Sequence, residues 1–217
     1  MQKLHFLLLL IGGFAFSQTP ADSLYREDQI YASVGYPLLI GTPEDLTQNK
    51  LSHTFSLGFV RDIPINTARN LAFGLGLGLN YNVVYTNLQF TDNVEVSTYV
   101  SSEVINQWSF LDAEIPLEFR WRSSTPKNYQ FWRVYAGMVG YYSLSAKQRT
   151  RTAFTESFSP LSVQNFRIAL RLNVGNNTWN LTYTHPINSL FNLDKFTQNK
   201  SFSQIKTSKL GLIFYIF

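Results

Sequence analysis

From Leu111 to Arg122 every second residue is apolar and nearly every charge falls in between. Leu111, Ala113, Ile115, Leu117, Phe119 and Trp121 share one side, and Asp112, Glu114, Pro116, Glu118, Arg120 and Arg122 share the other. Successive side chains point to opposite faces of a strand, whereas a helix repeats every 3.6 residues. The segment therefore predicts a strand with one wholly apolar face and one charged face. The same period recurs along the chain. In 71–82, Leu71, Phe73, Leu75, Leu77, Leu79 and Tyr81 oppose Ala72, Gly74, Gly76, Gly78, Asn80 and Asn82. In 132–147, the face Trp132, Val134, Ala136, Met138, Gly140, Tyr142, Leu144 opposes Arg133, Tyr135, Ser143, Ser145 and Lys147. In 165–174, Phe166, Ile168, Leu170, Leu172 and Val174 oppose Asn165, Arg167, Ala169, Arg171 and Asn173. Trp179, Leu181 and Tyr183 oppose Asn180, Thr182 and Thr184. Weaker versions at 30–40 and 55–63, with a terminal segment apolar on both faces, bring the candidates to eight.

A sheet in water also alternates, with its polar face outward. Three further features favour a membrane. Several segments supply the roughly 9–11 tilted residues that cross a bilayer, more than a typical soluble strand. The connections, read as 41–53, 64–70, 86–107, 123–130, 148–161, 175–178 and 187–204, alternate long and short. Outer-membrane barrels have long extracellular loops and short periplasmic turns in that order. The chain also closes on Leu210-Gly211-Leu212-Ile213-Phe214-Tyr215-Ile216-Phe217, without a charge after Lys209. Chain ends are ordinarily polar and frayed. Tyr215 and Phe217 are expected to sit at the aromatic girdle and to act as the assembly signal.

The N-terminus reads as an export signal. Lys3 precedes a short apolar run centred on Leu7-Leu8-Leu9-Leu10-Ile11, and Ala15-Phe16-Ser17 is a small-x-small cleavage pattern. The run is too short to span a bilayer as a helix, and no later stretch is apolar for 18 residues. The expected organisation is a signal peptide at 1–17, a periplasmic segment at 18–29 and a barrel at 30–217. The expected fold is all-β: a closed antiparallel eight-stranded transmembrane β-barrel, an up-and-down meander in the cell outer membrane. Without cysteine no disulfide braces it, so its stability rests on the sheet. Aromatics at 16% of the chain suit strands and girdles. The formal charge of +4, dispersed and lowered by one with Lys3, gives no reason to expect nucleic acid.

The polar faces would fill a lumen just wide enough to be packed by side chains. Asp112, Glu114, Glu118, Arg120, Arg133, Arg167 and Arg171 are expected to form an ion-pair network there, with Arg122 and Lys147 on the same faces. Buried charges must be paired or hydrogen-bonded. An arginine-lined anion path is the alternative. Gly74, Gly76 and Gly78 would make room for long side chains opposite. Nucleophilic catalysis would need a serine, a histidine and an orienting group together. Only His53 and His185 remain after the signal, near Ser56 and Ser189, and the expectation is no enzyme. No cofactor or metal is expected; Asp92, Glu95 and Glu103 lack Ca²⁺-loop spacing.

The run Phe110-Leu111-Asp112-Ala113-Glu114-Ile115-Pro116-Leu117 resembles the PorT-like outer-membrane β-barrel proteins of Bacteroidota. So do Val134-Tyr135-Ala136-Gly137, Leu181-Thr182-Tyr183, Tyr25-Arg26-Glu27-Asp28-Gln29-Ile30-Tyr31, Gly58-Phe59-Val60-Arg61-Asp62-Ile63-Pro64 and the aromatic closing strand. The resemblance spans nearly all the mature chain and implies fold and location. It also implies a non-enzymatic scaffold or accessory to an envelope machine such as type IX secretion. A narrow porin or transporter and a barrel lipid-modifying hydrolase are the competing functions. The expected partners are outer-membrane lipid and lipopolysaccharide, the barrel-assembly machinery and other envelope proteins.

Overall fold

The structure is a computed structural model that describes residues 28–68, 70–91, 96–99, 104–123, 132–152, 156–176, 178–192 and 202–216. The export signal at 1–17, Phe217, and the carboxylates Asp92, Glu95 and Glu103 lie outside these residues. In chain order the strands are β1 (Gln29–Ile40), β2 (His53–Pro64), β3 (Leu71–Tyr85), β4 (Leu88–Thr91), β5 (Val96–Tyr99), β6 (Ile105–Arg122), β7 (Trp132–Arg151), β8 (Glu156–Pro160), β9 (Phe166–Asn176), β10 (Trp179–Pro186) and β11 (Lys206–Ile216).

Eight of them close a barrel in the order β1-β2-β3-β6-β7-β9-β10-β11, every neighbour antiparallel. Pairing of β1 with β11, from Ile30 opposite Ile216 to Ile40 opposite Lys206, removes the last edge. A closed barrel satisfies every strand's backbone within the sheet, which lipid requires. The connections 65–70, 123–131 and 177–178 lie at the end where β1 begins and β11 finishes, here the turn end. The longer connections 41–52, 86–104, 152–165 and 187–205 lie at the opposite, loop end. They carry the short strands β4, β5 and β8, which the alternation pattern did not foresee.

The outer face is apolar around the circumference. Leu57, Leu77, Leu117, Leu172, Leu181 and Leu210 are all exposed, Leu77 by 65%. Soluble monomers rarely leave contiguous apolar patches beyond a few hundred Å². A band that encircles the molecule is covered by hydrocarbon. Trp121, Trp132 and Trp179 stand outward at the turn end, where amphipathic rings meet the headgroups. The terminal strand, apolar on both faces, resolves in the same way. Leu210 and Ile216 face out, while Ile213 and Tyr215 are buried in the lumen.

Two departures from strict alternation shape the interior. β7 carries a bulge: Leu111 pairs with Ser145 but Asp112 pairs with Ser143, so Leu144 is an extra residue. A one-residue slip exchanges the faces beyond it. Arg133, Tyr135, Val139 and Tyr141 face inward before the bulge, and Gln148 and Thr150 after it. Lys147, expected in the lumen, is exposed on the outside, and Ser145 shares its side. The second departure is the glycine content of β3. Gly58 and Gly78 are paired across β2 and β3, and a Cβ on either would overlap the Tyr31 phenol. Their bare backbones let that ring cross two strands to reach β6. A Cβ at Gly74 would lie 2.6 Å from Arg120 Nε, so this glycine makes room for a buried guanidinium.

Candidate functional site: the filled lumen

β6 supplies the axis of the interior. Every inward residue of this 18-residue strand from Asp112 to Arg122 is buried, and all but Pro116 are charged. Their partners come from strands across the barrel, which is why a sequence pattern cannot pair them. At the turn end Asp62 of β2 takes Arg122 at 2.8 Å and Arg120 at 3.3 Å, and all three side chains are buried. Arg120 Nε also meets Glu118 at 3.1 Å. The Arg120 guanidinium lies 4.5 Å from the Tyr135 ring centre and 5.5 Å from that of Tyr215. Arg133 joins this group through the Tyr215 ring, at 5.9 Å. Asn173 Nδ2 donates to Glu118 at 3.2 Å and to the Tyr215 hydroxyl at 2.9 Å.

One layer further in, Glu114 is the hub. Arg171 pairs with it at 3.0 Å, the Tyr31 hydroxyl donates to it, and Ser56 donates at 3.4 Å. Arg171 also donates to the Tyr141 hydroxyl at 3.0 Å. Above it Asp112 pairs with Arg167 and accepts from Asn82 at 3.4 Å. Asn80 donates to Ser56 and Thr54 and accepts from Lys209 Nζ at 2.6 Å. Buried ion pairs gain little net stability over apolar packing, but breaking one leaves a charge uncompensated.

The loop end is closed differently. Leu46, Leu88, Phe90, Leu161, Val163, Leu190, Phe191, Phe202 and Ile205, drawn from all four longer connections, pack with Val84, Trp108 and Phe110 into one buried apolar cluster. Phe90 stacks on Trp108 at 5.5 Å and meets Phe191 edge-on at 5.2 Å. Gln148, turned inward by the bulge, holds β4 in place. It accepts from Phe90 N at 3.0 Å and Trp108 Nε1 at 3.3 Å, and donates to Phe90 O at 2.8 Å. The lumen is thus filled by two media: ion pairs across the membrane-spanning layer and an apolar plug above it.

A family model described as "Outer membrane protein beta-barrel domain" matches residues 15–192. The chain belongs to that family. It is an outer-membrane β-barrel protein, and the apolar band is its bilayer-facing surface. The barrel is also similar to the crystal structure of Ail, the attachment invasion locus protein of Yersinia pestis. That likeness stands at 11% identity over 88% of this chain and 99% of that one, with a TM-score of 0.33. No curated protein matched.

The outer-membrane barrel brings together all seven residues that the sequence placed in its network, and adds Asp62, Arg122 and Lys209. Asp62 and Lys209 are the members that sequence reasoning missed. Arg61 and Val60 blur the alternation of β2, yet counting by twos from Ser56 puts residue 62 on the inner face. Tyr215, expected at the lipid girdle, is a lumen residue packed edge-on against Tyr135 at 5.4 Å. Tyr31, near the start of β1, is likewise inside. There the Tyr31 hydroxyl donates to Glu114 and the Tyr215 hydroxyl accepts from Asn173, whereas Trp121, Trp132 and Trp179 stay outside, where an indole N–H can meet the headgroups. His53 lies beside Phe55, and His185 Nδ1 lies 3.2 Å from the Tyr183 hydroxyl on the outer face. Ser56 bonds inward and Ser189 bonds the Phe191 carbonyl, so no serine–histidine hydrogen bond forms among the described residues.

Proposed function

We propose that this outer-membrane barrel is a non-conducting, non-enzymatic component of a larger envelope assembly, a scaffold or accessory of the PorT-like kind found in Bacteroidota. The observation that supports it is the double closure of the lumen. A solute would have to part the Asp62–Arg120–Glu118 and Glu114–Arg171 pairs and then displace the aromatic plug. Such a barrel offers its outer wall and loops to partners rather than its interior to a substrate. Type IX secretion is the machine that the sequence resemblance suggests. In this reading the chain is exported, inserted by the barrel-assembly machinery and surrounded by lipid and lipopolysaccharide.

The test is single-channel recording in planar bilayers, paired with mild-detergent purification of the endogenous protein. The expected result is no stable conductance step and co-purification with other envelope proteins. A large steady conductance would establish the porin reading instead. Migration as a lone barrel would remove the machine. Altered lipid A in a deletion strain would favour the hydrolase.

A further inference from the structure

The outer face of β7 changes chemistry towards its loop end. Up to Tyr142 and Leu144 its outward side chains belong to the apolar band. Beyond the bulge they are Ser145, Lys147, Arg149 and Arg151. β8 pairs alongside, with Pro160 opposite Lys147, Phe158 opposite Arg149 and Glu156 opposite Arg151. Directly opposed residues share a face, so these six side chains stand on one outer wall. Height fixes what the wall meets. On β6 the apolar band runs from Trp121 up to Leu111, which pairs with Ser145. At about 3.3 Å per residue and a tilt of about 40°, that run is about 25 Å tall, the height of the hydrocarbon band in such barrels. Lys147 therefore stands about 5 Å beyond the hydrocarbon, at the depth of the headgroups, with Arg149 and Arg151 above it. Long connections are extracellular in these barrels, so the headgroups are those of the outer leaflet.

Three cations share this wall with one carboxylate among the described residues. Glu156 pairs with Arg149 at 2.6 Å, and the Arg149 guanidinium lies 5.6 Å from the Phe158 ring centre. Lys147 and Arg151 are exposed and make no ion pair among the described residues. Ser109 and Gln107, the β6 residues opposite Lys147 and Arg149, are uncharged. Between β7 and β8 an open groove of about 500 Å³ is lined by Ser145, Ala146, Lys147, Phe158, Ser159 and Pro160. Its walls combine an ammonium, two serines and the apolar surface of Phe158 and Pro160. Phe158 is 66% exposed, a large ring with nothing from this chain laid over it. A lysine ammonium is a point charge suited to phosphate, serine hydroxyls suit sugar hydroxyls, and an exposed ring suits the C–H face of a sugar. The groove is of the size that holds a small polar ligand of this kind.

We propose that this wall is a binding site for a phosphorylated glycolipid of the outer leaflet, the lipopolysaccharide class. Lys147 holds a phosphate of the headgroup, Arg151 adds attraction from above, and Phe158 and Pro160 pack against the sugar. The lipid's acyl chains then run down the apolar band below Ser145, in line with the bilayer-facing surface. The site rests on the outer-membrane placement and not on the accessory reading above, so it stands or falls separately from any partner protein.

The experiment titrates the full mature barrel in detergent with bisphosphorylated lipid A, with the same lipid A stripped of its phosphates, and with phosphatidylglycerol. Bound lipid is counted by native mass spectrometry. The expected result is tightest binding of the phosphorylated lipid A. Each cation removed beside an anionic lipid should weaken it about fivefold, so Lys147→Gln loses about fivefold and Lys147→Gln with Arg151→Gln about 25-fold. Phe158→Ala should weaken lipid A and leave phosphatidylglycerol unchanged. Arg61→Gln removes an exposed cation from the turn end and should change nothing. The comparison of the three lipids needs no variant, so it decides even where a variant does not fold. Equal binding of the dephosphorylated lipid, or of phosphatidylglycerol, would overturn the proposal. So would wild-type affinity in the Lys147 and Arg151 variants, an equal loss in Arg61→Gln, or full displacement of lipid A by inorganic phosphate at the same concentration.

Discussion

Asp62 holds two guanidinium groups at the turn end, and both are buried. Replacing it with alanine leaves Arg120 dependent on Glu118 and removes the carboxylate that Arg122 meets at 2.8 Å. Breaking a buried pair by removing one partner costs about 3–5 kcal/mol. Asp62→Ala and Glu118→Ala should each lower stability by that amount in detergent unfolding. Leu117→Val, on the lipid face, should cost under about 1.5 kcal/mol. Equal losses at Asp62 and Leu117 would mean that the ion pairs do not hold the lumen. Gly78→Val tests a different residue-scale demand. Its side chain would occupy the space of the Tyr31 phenol and detach it from Glu114. The expected loss is about 1–3 kcal/mol, the usual cost of overpacking, and Tyr31→Phe made with it should recover little.

At the scale of the element, the bulge at Leu144 decides which side of β7 carries which chemistry. Below it β7 follows the phase of its lower half; above it Gln148 enters the plug and Lys147 leaves the lumen. The chain has no cysteine, so single-cysteine labelling reads this directly. Lys147→Cys should react on intact cells with a membrane-impermeant maleimide, and Gln148→Cys should be protected. Reversed labelling would place the bulge elsewhere. Deleting Leu144 would remove the extra residue and leave Ser145 opposite Leu111, so Lys147 would stay outside and Gln148 inside. That variant should keep the Gln148 bonds to Phe90 and still assemble, judged by heat-modifiable migration on gels. The closing strand is the other element under test. Phe217→Asp places a charge at the chain end and should also impair assembly; normal migration would remove Phe217 from the assembly signal.

For the whole molecule, the long connections join strands at one end of the barrel, and β1 begins and β11 finishes at the other. Protease added to intact cells should cut within 86–107 or 187–204 and spare 123–130; cuts confined to the short turns would invert the orientation. The two fillings of the lumen also make separable predictions. Trp108→Ala, at the centre of the apolar plug, should cost about 3–5 kcal/mol and loosen the loops while the ion pairs below keep the barrel closed to ions. Conductance appearing in Trp108→Ala alone would mean that the plug, not the charge network, is the seal.

The alternation of 111–122, 71–82 and 165–174 by itself determined the strands, their faces and the membrane, because lipid demands an apolar outer residue at every second position whatever pairs with what. The order of long and short connections determined the meander in the same way. The identity of the lumen residues on β6 and β9 was legible for the same reason, since a charge has no other face to occupy. Only the tertiary structure decided the partners. Arg122 meets Asp62 and Arg171 meets Glu114 across the barrel, at separations along the chain that no local period encodes. It also decided the phase of β7 beyond Leu144 and the inward turn of Tyr31 and Tyr215. The bulge and the Gly58–Gly78 gap are set by how neighbouring strands pack, so a strand read alone cannot reveal them. The apolar plug was hidden for a further reason. Its residues from the connections come one or two at a time from four of them, and runs so short carry no readable period until closure of the barrel gathers them at one mouth.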